Sequence, residues 1–100
     1  MNKWIPITEG WQLRRLGKLG EECGELSAIT SRCIIQGMLG INPKTYEVNK
    51  NKLLDELADV QAQIGCTLLA FDLDQDYLAR RVAEKIIQMR AWEDHFKGQP

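Results

Sequence analysis

The sequence predicts an all-α fold, a helical bundle of three main helices per chain that is completed by oligomerisation. Three observations carry that expectation. Apolar residues recur at three- and four-residue steps in three separate segments, which is the signature of amphipathic helices. No segment shows the strict alternation of a half-buried strand. A chain of 100 residues buries only a modest fraction of its unfolded surface by itself, so further burial between copies is expected.

Residues 1–8 read as an irregular arm, because Pro6 disfavours helix at Ile5 and Thr8 is a plausible N-cap ahead of Trp11 and Gln12. From there to about Met38, the positions Leu13, Leu16, Leu19, Cys23, Leu26 and Cys33 mark one long helix. The stretch 37–50 then collects Gly37, Gly40, Pro43 and two asparagines, so it reads as a long connection. A second helix follows with Leu53, Leu57, Val60, Ile64, Thr67 or Leu68, and Phe71. Asp74 caps a third, carrying Leu78, Val82, Ile86 and Met89 to about Phe96.

The second helix has another apolar strip. At 100° per residue, Ala58, Ala62, Cys66 and Leu69 fall well away from the Leu53 face. A helix apolar on two sides needs two partners, and small residues such as Ala58 and Ala62 allow a second copy to approach closely. The expected assembly is a homo-oligomer, dimer or tetramer.

Composition narrows the function classes. The 44% hydrophobic content suits a single domain over 1–100. Thirteen Lys and Arg against fourteen Asp and Glu leave a formal charge of -1, so no bulk basic field exists to hold nucleic acid. Cys23, Cys33 and Cys66 are odd in number and lack CxxC spacing, which argues against a disulfide framework or thiolate zinc site and for the reducing cytoplasm. No stretch approaches the roughly 20 apolar residues that span a bilayer, and the N-terminal stretch lacks the apolar core of a signal peptide. Neither secretion nor membrane insertion is expected.

Charge is concentrated locally instead. In "GEECGEL" the residues Glu21, Glu22 and Glu25 crowd into less than two helical turns, where like charges repel. Glu22 projects into the apolar arc among Leu26, Ile29 and Cys33, where an unpaired carboxylate would cost several kcal/mol or become neutral. "DELAD" repeats the spacing as Asp55, Glu56 and Asp59. In an antiparallel hairpin the pairs Glu22/Glu25 and Glu56/Asp59 can converge. Four carboxylates in a groove of low dielectric call for a cation, and all-oxygen ligation selects Mg²⁺ or Mn²⁺. A charged helix face making surface salt bridges is the plainer reading of one such motif; two matched copies weigh against it.

These motifs resemble the EExxE and ExxD signature of the MazG-like nucleotide pyrophosphohydrolases, an all-α superfamily that includes phosphoribosyl-ATP pyrophosphatases and dimeric dUTPases. The likeness spans about residues 11–90. It implies that Glu22, Glu25, Glu56 and Asp59 bind Mg²⁺, and that the third-helix Lys-x-x-Asn with a following Arg corresponds to Lys85, Gln88 and Arg90, with Gln in place of Asn. Thirty residues separate Glu25 from Glu56, long for the family, and the extra length falls in the 37–50 connection.

The implied reaction is hydrolysis of the α-β phosphoanhydride of a nucleoside triphosphate, giving a monophosphate and diphosphate. Water is the nucleophile, and Glu21 or Glu25 would orient it or accept its proton. Lys18, Lys85 and Arg90 supply charge to the phosphates, while Trp4, Trp11 or Tyr46 would stack on the base. The alternatives are a non-catalytic helical oligomer serving as an interaction module, or, within the same fold, an enzyme of the phosphoribosyl-ATP pyrophosphatase or dUTPase type. His95 reads as a surface or capping residue near a helix C-terminus.

Overall fold

Helix α1 spans Gly10–Gln36 in the computed structural model, which describes residues 3–99. Its N-cap is Glu9 in extended conformation, without a side-chain capping bond, so Thr8 does not serve as predicted. The helix stops because Gly37 takes φ 85° and turns its N–H back to the Cys33 carbonyl, a conformation glycine adopts without steric cost. Helix α2 spans Asn49–Ala70, starting a turn earlier than the apolar pattern alone suggests. It ends where Asp72 adopts φ 50° and the Leu73 N–H donates to the Leu68 carbonyl at 2.9 Å. Helix α3, Gln75–Lys97, begins as predicted: the Asp74 side chain accepts from the Tyr77 N–H at 2.9 Å.

The 37–48 connection is ordered by its own hydrogen bonds. Ile41 and Val48 form one antiparallel bridge, and the Asn42 carboxamide oxygen accepts from the Lys44 N–H. Asn49 closes its base. Only 1% exposed, its Nδ2 donates to Gln36 Oε1 and to the Gly37 carbonyl. Gly40 lies against this clamp so closely that a Cβ would sit 2.8 Å from Asn49 Nδ2 and 2.9 Å from the Gln36 carbonyl oxygen. The predicted loop is therefore a fastened turn that sets where α2 departs from α1.

Helices α1 and α2 pack antiparallel along their lengths. Trp11 and Phe71 close the far end of the seam, with ring centroids 6.0 Å apart at 26°. The seam is narrower and more polar than the apolar pattern suggests. Among the described residues Ile29 is the one buried hydrophobic, while Glu22, Asn49, Glu56 and Thr67 are also buried. On α1, Leu19, Leu26 and Cys33 face the seam; Leu13, Leu16 and Cys23, expected beside them, do not. On α2 the buried face runs through Glu56, Val60, Gln63 and Thr67, leaving Leu57 and Ile64 at its edge. The Asn49 clamp ties the start of α2, from which this face runs, to the end of α1.

Three helices are present and the described residues hold no strand, but one chain does not form a three-helix bundle. Helix α3 has no packing with α1 or α2 comparable to that between them. Its Val82, Ile86, Ile87, Met89 and Trp92 are all exposed. The radius of gyration is 17.6 Å, against about 13 Å for a compact chain of this length. Among the described residues no helix is long and apolar enough to cross a membrane.

Candidate metal centre

The buried faces of α1 and α2 meet at their acids. One carboxylate oxygen each from Glu22, Glu56 and Asp59 lies within 4.8 Å of the others, with Glu22 and Glu56 buried and Asp59 exposed at the mouth. Glu56 is 2% exposed, the largest side chain so enclosed after which only Asn49 compares. The arrangement arises from register. Glu22 and Glu25 sit near the middle of α1, Glu56 and Asp59 two turns into α2, and the antiparallel pairing brings both levels together.

Each buried glutamate is half-neutralised by a lysine one turn earlier. Lys52 Nζ lies 2.9 Å from Glu56 Oε1, and Lys18 Nζ lies 3.4 Å from Glu22 Oε1 and 3.3 Å from Glu21 Oε1. The pairing pushes both lysines above their ordinary pKa: for Lys52 chiefly through the hydrogen bond to Glu56, for Lys18 chiefly through that to Glu21. The second oxygen of each glutamate, Glu22 Oε2 and Glu56 Oε2, is buried with no hydrogen-bond partner. A buried carboxylate oxygen in that condition is costly unless something cationic meets it. Two such oxygens beside a third carboxylate make an all-oxygen donor set, which fits a hard divalent cation and does not single out Mg²⁺ from its neighbours.

Glu25 stands apart from the three-residue cluster but belongs to the same groove. It lines a hollow of about 240 Å³ with Ala28, Ile29, Arg32, Lys52 and Glu56. The charge of Glu22 raises its pKa, with burial and the charge of Glu56 adding to the effect. Glu21 faces outward to Lys18 and is exposed. Trp11 lies in a second, larger hollow of about 620 Å³ with Arg14, Arg15, Gly17, Lys18 and Glu21.

Lys85, Gln88 and Arg90 are exposed on α3 and none lines either hollow, so a single chain does not bring them to the acids. Trp4 is 94% exposed on the N-terminal arm and Tyr46 is exposed in the connection. His95 packs edge-on against Phe96 at a centroid distance of 5.2 Å.

Lys52 is the residue that reading for acids alone misses. The signal was present: "KLGEECGE" at 18–25 and "KLLDELAD" at 52–59 align without a gap, with Lys, Leu and Glu identical and the other acids matched in kind. The repeat places a lysine four residues before the buried glutamate on each helix.

No family model, no curated protein and no solved structure matches the chain.

Proposed function

We propose that this protein is a Mg²⁺-dependent nucleoside triphosphate pyrophosphohydrolase, with Mn²⁺ as a possible substitute, that converts a (d)NTP and water to a (d)NMP and diphosphate. The observation that carries the reading is the pair of buried, partnerless oxygens Glu22 Oε2 and Glu56 Oε2 converging with Asp59. The EExxE and ExxD resemblance supplies the reaction class.

In this reading Glu22, Glu56 and Asp59 hold the ion, with Glu25 completing the set from the hollow beside them. A divalent ion there supplies Lewis-acid stabilisation of phosphate charge. Either Glu21 or Glu25 can take a proton from the attacking water; Glu25 is favoured because it shares the hollow with Glu56. Lys18 and Lys52, already beside the buried glutamates, are positioned to answer the charge of the phosphates. Trp11, stacked on Phe71 and half-exposed in its hollow, is the aromatic placed to meet a base.

The working unit is a homo-oligomer, dimer or tetramer. Exposure of the apolar residues of α3 and of the Ala58, Ala62, Cys66 and Leu69 strip on α2 supports this. A second copy would also be the source of Lys85, Gln88 and Arg90 near the acids. The three free thiols suit a reducing compartment, the cytoplasm.

The test is diphosphate release from a panel of canonical and modified NTPs and dNTPs, with Mg²⁺, Mn²⁺ or chelator. Metal-dependent release from at least one member is expected; none from any member, by a folded and oligomeric preparation, would remove the reading.

A further inference from the structure

Two of the partnerless buried groups in the α1/α2 seam are not accounted for by a cation. Arg15 Nε and Nη2 are buried with no hydrogen-bond partner, and so is Gln63 Oε1. Among the described residues Arg15 has no carboxylate within ion-pair distance, whereas Lys18 and Lys52 each do. The two nitrogens form the side-on edge of the guanidinium, the fork that matches two oxygens of a carboxylate or phosphate. Donor nitrogens buried with no acceptor carry a desolvation cost, as a buried carboxylate oxygen without a partner does.

Register places Arg15 and Gln63 at one level. Arg15 lies seven residues before Glu22 and Gln63 seven after Glu56. In an antiparallel pair both displacements are two turns in the same direction, about 10 Å from the acids. Both residues are half-buried on the seam faces. Arg15 also lines the open hollow of Trp11, Arg14 and Lys18, so its edge can be approached from solvent. The Gln63 carboxamide is nearly symmetric in shape, and turning it by 180° presents Nε2–H where Oε1 stands. Three donors then stand at one level of the seam, and the hollow that Arg15 lines carries Arg14 and Lys18 as positive charge against the single acid Glu21.

We infer that Arg15 and Gln63 form an oxyanion-binding layer, two turns from the acid cluster, whose ligand is a phosphoryl group. The identification of that group as part of the substrate or product rests on the pyrophosphohydrolase reading; the layer itself does not. A cation layer beside an anion layer along one seam suits a ligand that carries phosphate and metal together.

The experiment uses inorganic phosphate with chelator present, so that the acid cluster is silent, at ionic strength matched with chloride. Phosphate should raise the melting temperature of the wild type and shift the Arg15 side-chain Nε–H resonance. Arg15→Gln should weaken phosphate binding roughly tenfold or more, the loss expected from one charge-assisted bidentate contact. Arg15→Lys, which keeps charge but not the fork, should recover only part of it. Gln63→Glu gives the guanidinium an acceptor within the chain, so it should raise the melting temperature without phosphate and abolish the response to it. Equal responses in wild type and Arg15→Gln, or no response in wild type, would overturn the proposal, a buried water then filling the layer. Adding diphosphate and nucleoside monophosphate as separate probes tells free phosphate from the nucleotide's own. Phosphate binding through Arg15 without metal-dependent turnover of any nucleotide would retain this layer and remove the pyrophosphohydrolase reading; turnover unaffected by Arg15→Gln would do the reverse.

Discussion

Lys52 Nζ approaches Glu56 Oε1 to 2.9 Å while Glu56 Oε2, on the same carboxylate, is buried without a partner. One oxygen is answered within the chain and the other is not. The lysine therefore holds the site together without satisfying it, and the predictions below separate those two roles.

Glu56→Gln removes the most buried charge of the cluster. We expect the helices to form, and the metal-induced rise in stability to disappear; in the wild type that rise should reach about 2.7 kcal/mol when the free ion is at 100 times its dissociation constant. Thermal melts with and without Mg²⁺ measure it. Equal shifts in the two proteins would exclude this group as a ligand.

Lys52→Met leaves Glu56 without its counter-charge. Breaking a buried pair from one side is strongly destabilising, and because Lys52 itself is partly exposed the expected loss is reduced to about 1–2 kcal/mol in chelator. Saturating Mg²⁺ should recover most of it, since an ion can take over the neutralisation. Urea titrations under both conditions check this; a loss that persists undiminished with metal would show that the lysine acts through packing alone.

Assembly is tested from two faces. Ala62→Arg puts charge in the small-residue strip of α2, and Ile86→Glu does so on the exposed apolar face of α3. Sedimentation at micromolar concentration should show the wild type as dimer or tetramer and at least one variant shifted to smaller species with activity reduced. A fully active wild-type monomer would contradict the assembly expected here.

Tyr46 occupies φ 63° with its ring exposed at the turn of the connection. A left-handed residue with a Cβ costs roughly 1 kcal/mol, so Tyr46→Gly should raise stability by up to about that amount. If the ring serves the substrate, the same change should raise KM or alter base preference while Mg²⁺ binding is kept. Unchanged kinetics across a nucleotide panel would reduce the connection to a tether.

Much of the site was legible because its chemistry is local. Glu22 among Leu26, Ile29 and Cys33 is an anomaly of the helical wheel, and the matching of 21–25 by 55–59 needs no coordinates to be seen. The Asp74 cap was likewise written in a single residue whose backbone preference is short-range, whereas the first helix stops at Gly37, just short of the expected Met38. The packed face of α2 was less legible. Val60 and Thr67 lie in the seam as the apolar pattern predicts, and Leu69 is exposed on the other strip, but Leu57 and Ile64 stand at the edge of the seam while the polar Glu56 and Gln63 enter it.

The sequence by itself determined three helices, their approximate limits and the two acid motifs, since periodicity and capping depend on neighbours a few residues away. Only the tertiary structure decided which acids meet, that Lys52 and Lys18 each answer one oxygen of a buried glutamate, and that Arg15 faces the seam with its fork empty. It also decided that α3 leaves the α1/α2 pair rather than covering it. The physical reason is common to all of these: pairing, burial and the absence of a partner are properties of the space between helices, and that space is set by the azimuth and register at which two distant segments come together.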